Sequence, residues 1–226
     1  MTNTSLYAER SSTAAAYETA RQEVQALVPV SARRVLDVGC AAGVVGASLR
    51  ARQEAEVVGI DINPDYAAEA SERLDRFVRA NLDDFVQEDL EHDIGTFDCI
   101  VAADVLEHLR DPWHVLDRLV TVLKPGGYVV VSLPNVRYLA IGWHVYIRGT
   151  WPREPAGLFD ATHLRWFTER DMVAMLSGAG LTVERVDHLF QLPTRHTKYD
   201  WIARYFGPLR PFFAYQNLAI ARKPGC

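Results

Sequence analysis

The stretch Val35-Leu-Asp-Val-Gly-Cys-Ala-Ala-Gly43 decides how the rest of the chain is read. It opens as a short apolar run, residues 34–38, of the kind a fully buried strand shows, and passes at once into a turn bounded by Gly39 and Gly43. Glycines at that point let the backbone approach a ligand closely and let the next helix pack against the sheet. Working outward, residues 44–52 fit that helix, and residues 56–60 form a second strand that ends at Asp61. Asn63-Pro64 starts another helix, running to about Leu74, before strands at 76–80 and 97–102. Asp111 is placed to cap a helix whose first residue is Pro112 and whose apolar face is Val115, Leu116, Leu119, Val122 and Leu123. Lys124-Pro-Gly-Gly127 stops that helix ahead of a strand at 128–133. Thr168 opens a further helix with Met172, Val173, Met175 and Leu176 inside, and Gly178-Ala-Gly180 closes it. The last strands fall at 181–186 and 215–221, and a first helix is expected over 12–27.

Strand and helix thus alternate along most of the chain, which predicts an α/β fold: a Rossmann-like, seven-stranded, mostly parallel sheet with helices on both faces. Ligands of such sheets bind beyond the carboxyl ends of the strands, where strand order reverses. The 226 residues, 49% of them apolar, suit a single domain over 1–226. Two stretches exceed ordinary loop length, 134–167 and 190–211. The first carries Tyr138, Trp143, Tyr146, Trp151 and Trp166, the second Tyr199, Trp201, Tyr205 and Phe206, and both are expected to be insertions that cap a substrate. Plain packing or a contact between two copies in a homodimer would use the same aromatics.

A formal net charge of -5 argues against a nucleic-acid partner, which would call for a basic face. Cys40, Cys99 and Cys226 form no CxxC pair, so neither a disulfide framework nor a zinc knuckle is indicated. The polar first ten residues and the lack of a long apolar run predict no signal peptide, no membrane span and a cytoplasmic location.

The glycine turn resembles motif I of the class I S-adenosylmethionine-dependent methyltransferases. The chain also carries, in order, Asp61 closing the second strand, Phe97-Asp-Cys-Ile-Val-Ala-Ala-Asp-Val-Leu-Glu-His-Leu109, and Lys124-Pro-Gly-Gly127, each similar to a family motif. The resemblance covers about residues 17–133 well and implies one methyltransferase domain. It implies that Asp37 helps hold the amino group of the cofactor, directly or through water, and that Asp61 accepts hydrogen bonds from the ribose hydroxyls. Asn81 would accept the adenine amino group through its carbonyl oxygen, with the Leu82 amide facing the ring, although Asp83 or Asp89 can do the same task. Gly39, Cys40, Ala41, Gly43, Ile62 and Asp104 complete the expected cofactor set, joined by Tyr17 and by Arg21 as a carboxylate partner. Ala41 departs from the family, which commonly has a third glycine there. The rival cofactor, NAD, needs G-x-G-x-x-G, which Gly39 to Gly46 does not supply.

Asp104, Glu107 and His108 stand at i, i+3 and i+4, one face of a helix if a helix forms. With Asp160-Ala-Thr-His-Leu-Arg-Trp-Phe-Thr168 they resemble the metal-dependent O-methyltransferases of ubiquinone biosynthesis and the small-RNA 2′-O-methyltransferases. That resemblance implies a divalent ion, such as Mg²⁺, on Asp104, Glu107, His108 and His163. Two histidines suit Mn²⁺, Fe²⁺ or Zn²⁺ better than Mg²⁺. The same spacing also reads as a capping box, Asp104 with Glu107, leaving His108 as a metal-free base. His108 and His163 are the candidate catalytic residues, and the expected acceptor is a hydroxyl on a sugar or natural-product small molecule. Arg137, Arg148 or Arg165 would hold an anionic group on it. N-methylation of a small amine and a non-catalytic cofactor-binding protein stay open as alternatives.

Overall fold

The computed structural model describes residues 19–84, 94–190 and 209–225. Seven strands form one sheet: β1 (Arg34–Val38), β2 (Glu56–Asp61), β3 (Arg76–Arg79), β4 (Phe97–Ala103), β5 (Leu123–Pro134), β6 (Thr182–Phe190) and β7 (Ala214–Arg222). Their order is β3-β2-β1-β4-β5-β7-β6. The pairs among β1 to β5 are parallel, whereas β7 runs antiparallel to both β5 and β6.

Side-chain alternation sorts the core onto two faces. Val35, Val57, Cys99, Val101 and Val130 point to one side and pack with Leu49 and Leu74. Leu36, Val58, Ile100 and Val129 point to the other, onto Leu116, Leu119, Phe167 and Met172. A near-continuous apolar run in each central strand is what two covered faces require. The chain winds outward from β1 to β3 and returns to lay β4 on the other side of β1, so the strand order reverses between β1 and β4. A crevice at their carboxyl ends follows from that reversal.

The helices begin where local chemistry dictates. α1 (Gln22–Gln25) is the described end of the first expected helix. Gly43, at φ +78°, caps α2 (Val44–Gln53), and Asn63 caps a 3₁₀ turn, Pro64–Tyr66, that runs into α3 (Ala67–Arg73). The Asp111 side chain accepts from the His114 amide at 3.1 Å to cap α4 (Pro112–Thr121). After α5 (Leu139–Gly142), α6 (Glu169–Gly178) opens with a capping box between Thr168 and Asp171, and α7 (Arg210–Phe213) precedes β7.

Two expectations change. Lys124-Pro-Gly-Gly127 does not stand apart from the fifth strand but lies inside β5 as an irregularity, where the register jumps from Phe97↔Leu123 to Cys99↔Tyr128. The 104–108 segment is not an α-helix: Asp104 sits in left-handed backbone at φ +56°, and only a 3₁₀ turn, Leu106–His108, follows. The residue before that turn is Val105, with no side-chain cap, and the Asp104 carboxylate accepts from Arg21, Ser132 and Gln216 instead, so the capping box of Asp104 with Glu107 does not form.

The 134–167 insertion is ordered by contacts with the sheet. Asn135 bridges to Phe167, and the Leu164 and Arg165 amides donate to the Glu107 carbonyl at 2.8 and 3.0 Å. Its Trp151 meets Phe159 and Trp166 edge-on, while Trp143, Tyr146 and Ile147 in the π-helical turn after α5 are exposed. Most of the 190–211 insertion lies outside the described residues. No helix among the described residues is long and apolar enough to cross a membrane.

Candidate active site

The crevice holds two adjoining cavities, of about 600 and about 270 Å³. Gly39, Ala41, Asp104 and His108 line both and form the boundary between them.

The turn after β1 is built from strained backbone. Gly39, Ala41 and Gly43 all take positive φ, +69°, +46° and +78°. Glycine carries no penalty there, but Ala41 does, and a specific contact accompanies it. Its amide donates to Asp61 Oδ2 at 2.9 Å, while the Gly39 and Cys40 amides donate to the Ile60 carbonyl at 2.8 and 3.0 Å. The turn after β1 is thereby tied to the end of β2. Asp61 Oδ1 accepts from the Asn63 amide at 2.8 Å. The two amides orient the Asp61 carboxylate at the mouth of the turn.

Of the expected cofactor residues, Asp61, Ile62, Asn81 and Leu82 line the larger cavity together with the shared Gly39, Ala41 and Asp104. Asp37, Cys40 and Arg21 line the smaller one. Gly43 lines neither and acts as the helix cap behind the turn. Tyr17 and Asp89 lie outside the described residues.

Asp37 is 3% exposed, and among the described residues no hydrogen-bond partner reaches its Oδ2. Burial pushes its pKa up to about 7, the nearby Asp61 adds to the rise, and the Gly46 amide offsets part of it. Such a carboxyl fits a cationic amino group, the part S-adenosylmethionine would present at this end. Burial also pushes the Cys40 thiol well up, so it stays neutral and serves as packing.

Three expected contacts are arranged differently. Asn81 turns its carbonyl oxygen back to the Asp83 amide at 3.2 Å and its side-chain nitrogen to Asp84, while Asp83, held by the Arg110 amide at 2.9 Å and its guanidinium at 3.3 Å, also lines the cavity. Arg21 pairs with Asp104 and reaches Glu23 at 2.5 Å, Ser132 Oγ at 3.0 Å and Gln216 Oε1 at 3.3 Å. Its guanidinium is therefore held mainly by protein groups rather than presented to a ligand carboxylate. Asp104 accepts from Arg21, Ser132 and Gln216, which directs it away from the histidines.

Glu107, His108 and His163 do come together, one ligand atom from each lying within 4.8 Å of the others. Asp104 is not part of that group. The His108 and His163 rings meet edge-on at 4.7 Å between centroids, and His163 Nε2 lies 3.9 Å from Glu107 Oε1. Glu107 is 1% exposed. Glu107, His108 and His163 all line the smaller cavity, as do Asp160, Tyr215 and Gln216. Sequence reasoning did not single out Asp160, Thr162, Ser132 or Gln216. An Asp-x-Thr spacing, which favours a side-chain-to-amide turn, was the available signal for the first two. Arg165 donates to the Leu164 and Arg110 carbonyls, Arg137 lies over Phe212, and Arg148 is exposed, so none of the three lines either cavity.

Fold and site together define a doubly wound α/β protein that takes a nucleoside-bearing ligand between a glycine turn and an acid at the end of the neighbouring strand. A family model described as a methyltransferase domain matches residues 12–186. A ubiquinone biosynthesis O-methyltransferase from Xylella fastidiosa is 31% identical over 180 residues, covering 75% of this chain and 69% of that protein. Among solved structures, an S-adenosylmethionine-dependent methyltransferase from Mesorhizobium loti superposes with a TM-score of 0.61 at 21% identity, covering 91% of this chain and 98% of that one. The N-methyltransferase NodS from Bradyrhizobium japonicum, in complex with S-adenosylhomocysteine, gives 0.58 at 19% identity over 90% and 87% of the two chains. The chain belongs to the class I S-adenosylmethionine-dependent methyltransferases.

Proposed function

We propose that the enzyme methylates a hydroxyl oxygen of a sugar or natural-product small molecule. The observation that carries this reading is the Glu107–His108–His163 group, which lines the cavity sharing Gly39, Ala41, Asp104 and His108 with the nucleoside cavity. A hydroxyl is a poor nucleophile until its proton is removed, and an imidazole pair, His163 buried and His108 partly exposed, suits that task. The name of the Xylella fastidiosa relative, an O-methyltransferase, supports oxygen as the atom methylated.

S-adenosylmethionine, when bound, supplies an activated methyl on a sulfonium centre. The residues of this chain would position the acceptor and take its proton. On this reading His108 would receive the proton of the acceptor hydroxyl as that oxygen takes the methyl group from the cofactor's sulfur. The cavity wall carries the carboxyls of Asp37, Asp104, Glu107 and Asp160 against the single guanidinium of Arg21. An anionic acceptor finds no spare cation there among the described residues, so a diphosphate or other anionic group has no support.

A second reading comes from the same group. One carboxylate and two imidazoles form a donor set for a divalent ion, held by Glu107, His108 and His163, that would lower the pKa of the acceptor hydroxyl. The donor chemistry fits Mn²⁺, Fe²⁺ or Zn²⁺ better than Mg²⁺.

Incubation with methyl-labelled cofactor and a panel of hydroxylated and amine acceptors tests the proposal. Label is expected on oxygen, and label on nitrogen alone would contradict it. H163A should keep cofactor affinity and lower turnover about 100-fold or more, the scale of general-base catalysis; full activity would remove His163 from the site. Turnover that survives complete chelation assigns the base role without an ion. Loss restored by Mn²⁺ assigns the ion.

A further inference from the structure

Which nitrogen of His108 carries the proton decides whether the ring can act at all, and the loop that brings His163 into the site also answers this question. His108 Nδ1 lies 2.9 Å from Thr162 Oγ1 and 3.2 Å from the Thr162 carbonyl oxygen. The carbonyl can only accept. The hydroxyl could donate or accept, but its single proton has a nearer claimant, because Thr162 Oγ1 donates to Asp160 Oδ1 at 2.7 Å. That same Oδ1 accepts the Thr162 amide at 2.8 Å, so it presents its lone pairs toward Thr162. With its proton directed to Asp160, the hydroxyl offers only lone pairs to the ring. Both oxygens facing Nδ1 are therefore acceptors, and Nδ1 must carry the hydrogen.

We propose that Thr162, oriented by Asp160, is a positioning residue that holds neutral His108 as the Nδ1–H tautomer, so that Nε2 is the ring's one acceptor. This rests on the reading of His108 as the group that takes the acceptor's proton, and it would equally fix the ligating nitrogen if an ion sits there. The relay is anchored away from solvent: Asp160 is 6% exposed, its amide donates to the Gly157 carbonyl at 3.1 Å, and its carbonyl accepts the His163 amide at 3.1 Å. One aspartate thus orders the partner of one active-site histidine and the backbone of the other. The logic is that of an outer residue fixing the tautomer of an imidazole whose second nitrogen does the work.

The direct test is nitrogen-15 NMR of the imidazole rings, in the full chain with chelator present and at a pH where the rings are neutral. It needs neither acceptor nor cofactor, and the His108 signals are assigned by their loss in H108Q. Wild type should show the proton on Nδ1. Thr162→Val, which keeps the shape and removes the hydroxyl, should bring in the Nε2–H form and lower kcat about 10- to 100-fold, with the affinity for S-adenosylmethionine little changed. Thr162→Ser should restore both the tautomer and most of the turnover. A wild-type ring with its proton on Nε2 overturns the proposal, and so does a T162V ring with the wild-type tautomer. If T162V does not fold, the wild-type and T162S spectra still decide. Were the assigned reaction wrong, the tautomer result would stand while kcat lost its meaning, so the two failures are distinguishable.

Discussion

Asp37 and Asp61, the acids of β1 and β2 that face the crevice, differ in their surroundings. Asp61 is part-exposed and fixed by two amides, whereas Asp37 is buried with a pKa pushed up to about 7. A carboxyl whose folded pKa lies above its unfolded value contributes stability that is present below the unfolded value near 3.8 and lost as pH rises through about 7. The ligand-free protein should therefore lose stability between about pH 4 and pH 7 through this group, and D37N should flatten that slope in urea titrations. Binding runs the opposite way, because a cationic ligand favours the ionised carboxylate. Affinity for S-adenosylmethionine should rise from pH 6 to pH 8 in wild type and much less in D37N; an equal rise in both would take Asp37 out of the site. The positions of both acids were legible in the sequence, because a strand end and its turn are local. The setting of Asp104 was not: it depends on a backbone φ of +56° and on Arg21, Ser132 and Gln216, which are 83, 28 and 112 positions away.

At the scale of elements, the glycine turn stays close to the sheet because two further glycines let α2 and β2 close around Leu74. A methyl built on Gly46 would stand 2.4 Å from Leu74 Cδ2, and one on Gly59 2.3 Å from Leu74 Cδ1 and 2.6 Å from Cys40 Sγ. G46A and G59A should each lower unfolding free energy by about 1–3 kcal/mol, the usual cost of overpacking. Because both strike the same side chain, adding L74A should relieve part of the strain, so that the double variant falls short of the sum of its parts. Fully additive losses in denaturant titrations would show that Leu74 is not the obstacle. Strands, caps and most helix ends could be read from period and capping chemistry, as at Asp111 and Thr168. The fifth strand's start could not, since Pro125 and the two glycines look like a stop signal and become an irregularity only when β4 lies alongside. The meeting of His163 with Glu107 also depends on tertiary contact, through the Leu164 and Arg165 amides on the Glu107 carbonyl.

For the whole molecule, the reversal of strand order between β1 and β4 places the larger cavity and the cavity lined by His108 and His163 side by side, with Gly39, Ala41, Asp104 and His108 between them. With the methyl donor in the first and the acceptor in the second, as proposed, catalysis would be largely a matter of alignment. The 134–167 insertion, expected to enclose substrate, contributes Ala156, Gly157, Leu158 and Asp160 to the cavity wall, while its Trp151 packs on Phe159 and Trp166, and Trp143 and Tyr146 are exposed. The central claim is that the turn from Gly39 to Gly43 and the Asp61 carboxylate together grip one nucleoside. Calorimetric titration of S-adenosylhomocysteine into wild type and D61A tests it most directly. One equivalent should bind to wild type, and loss of two hydroxyl contacts to a charged group should weaken binding in D61A by about 100-fold or more. Equal affinity in the two proteins would contradict the account.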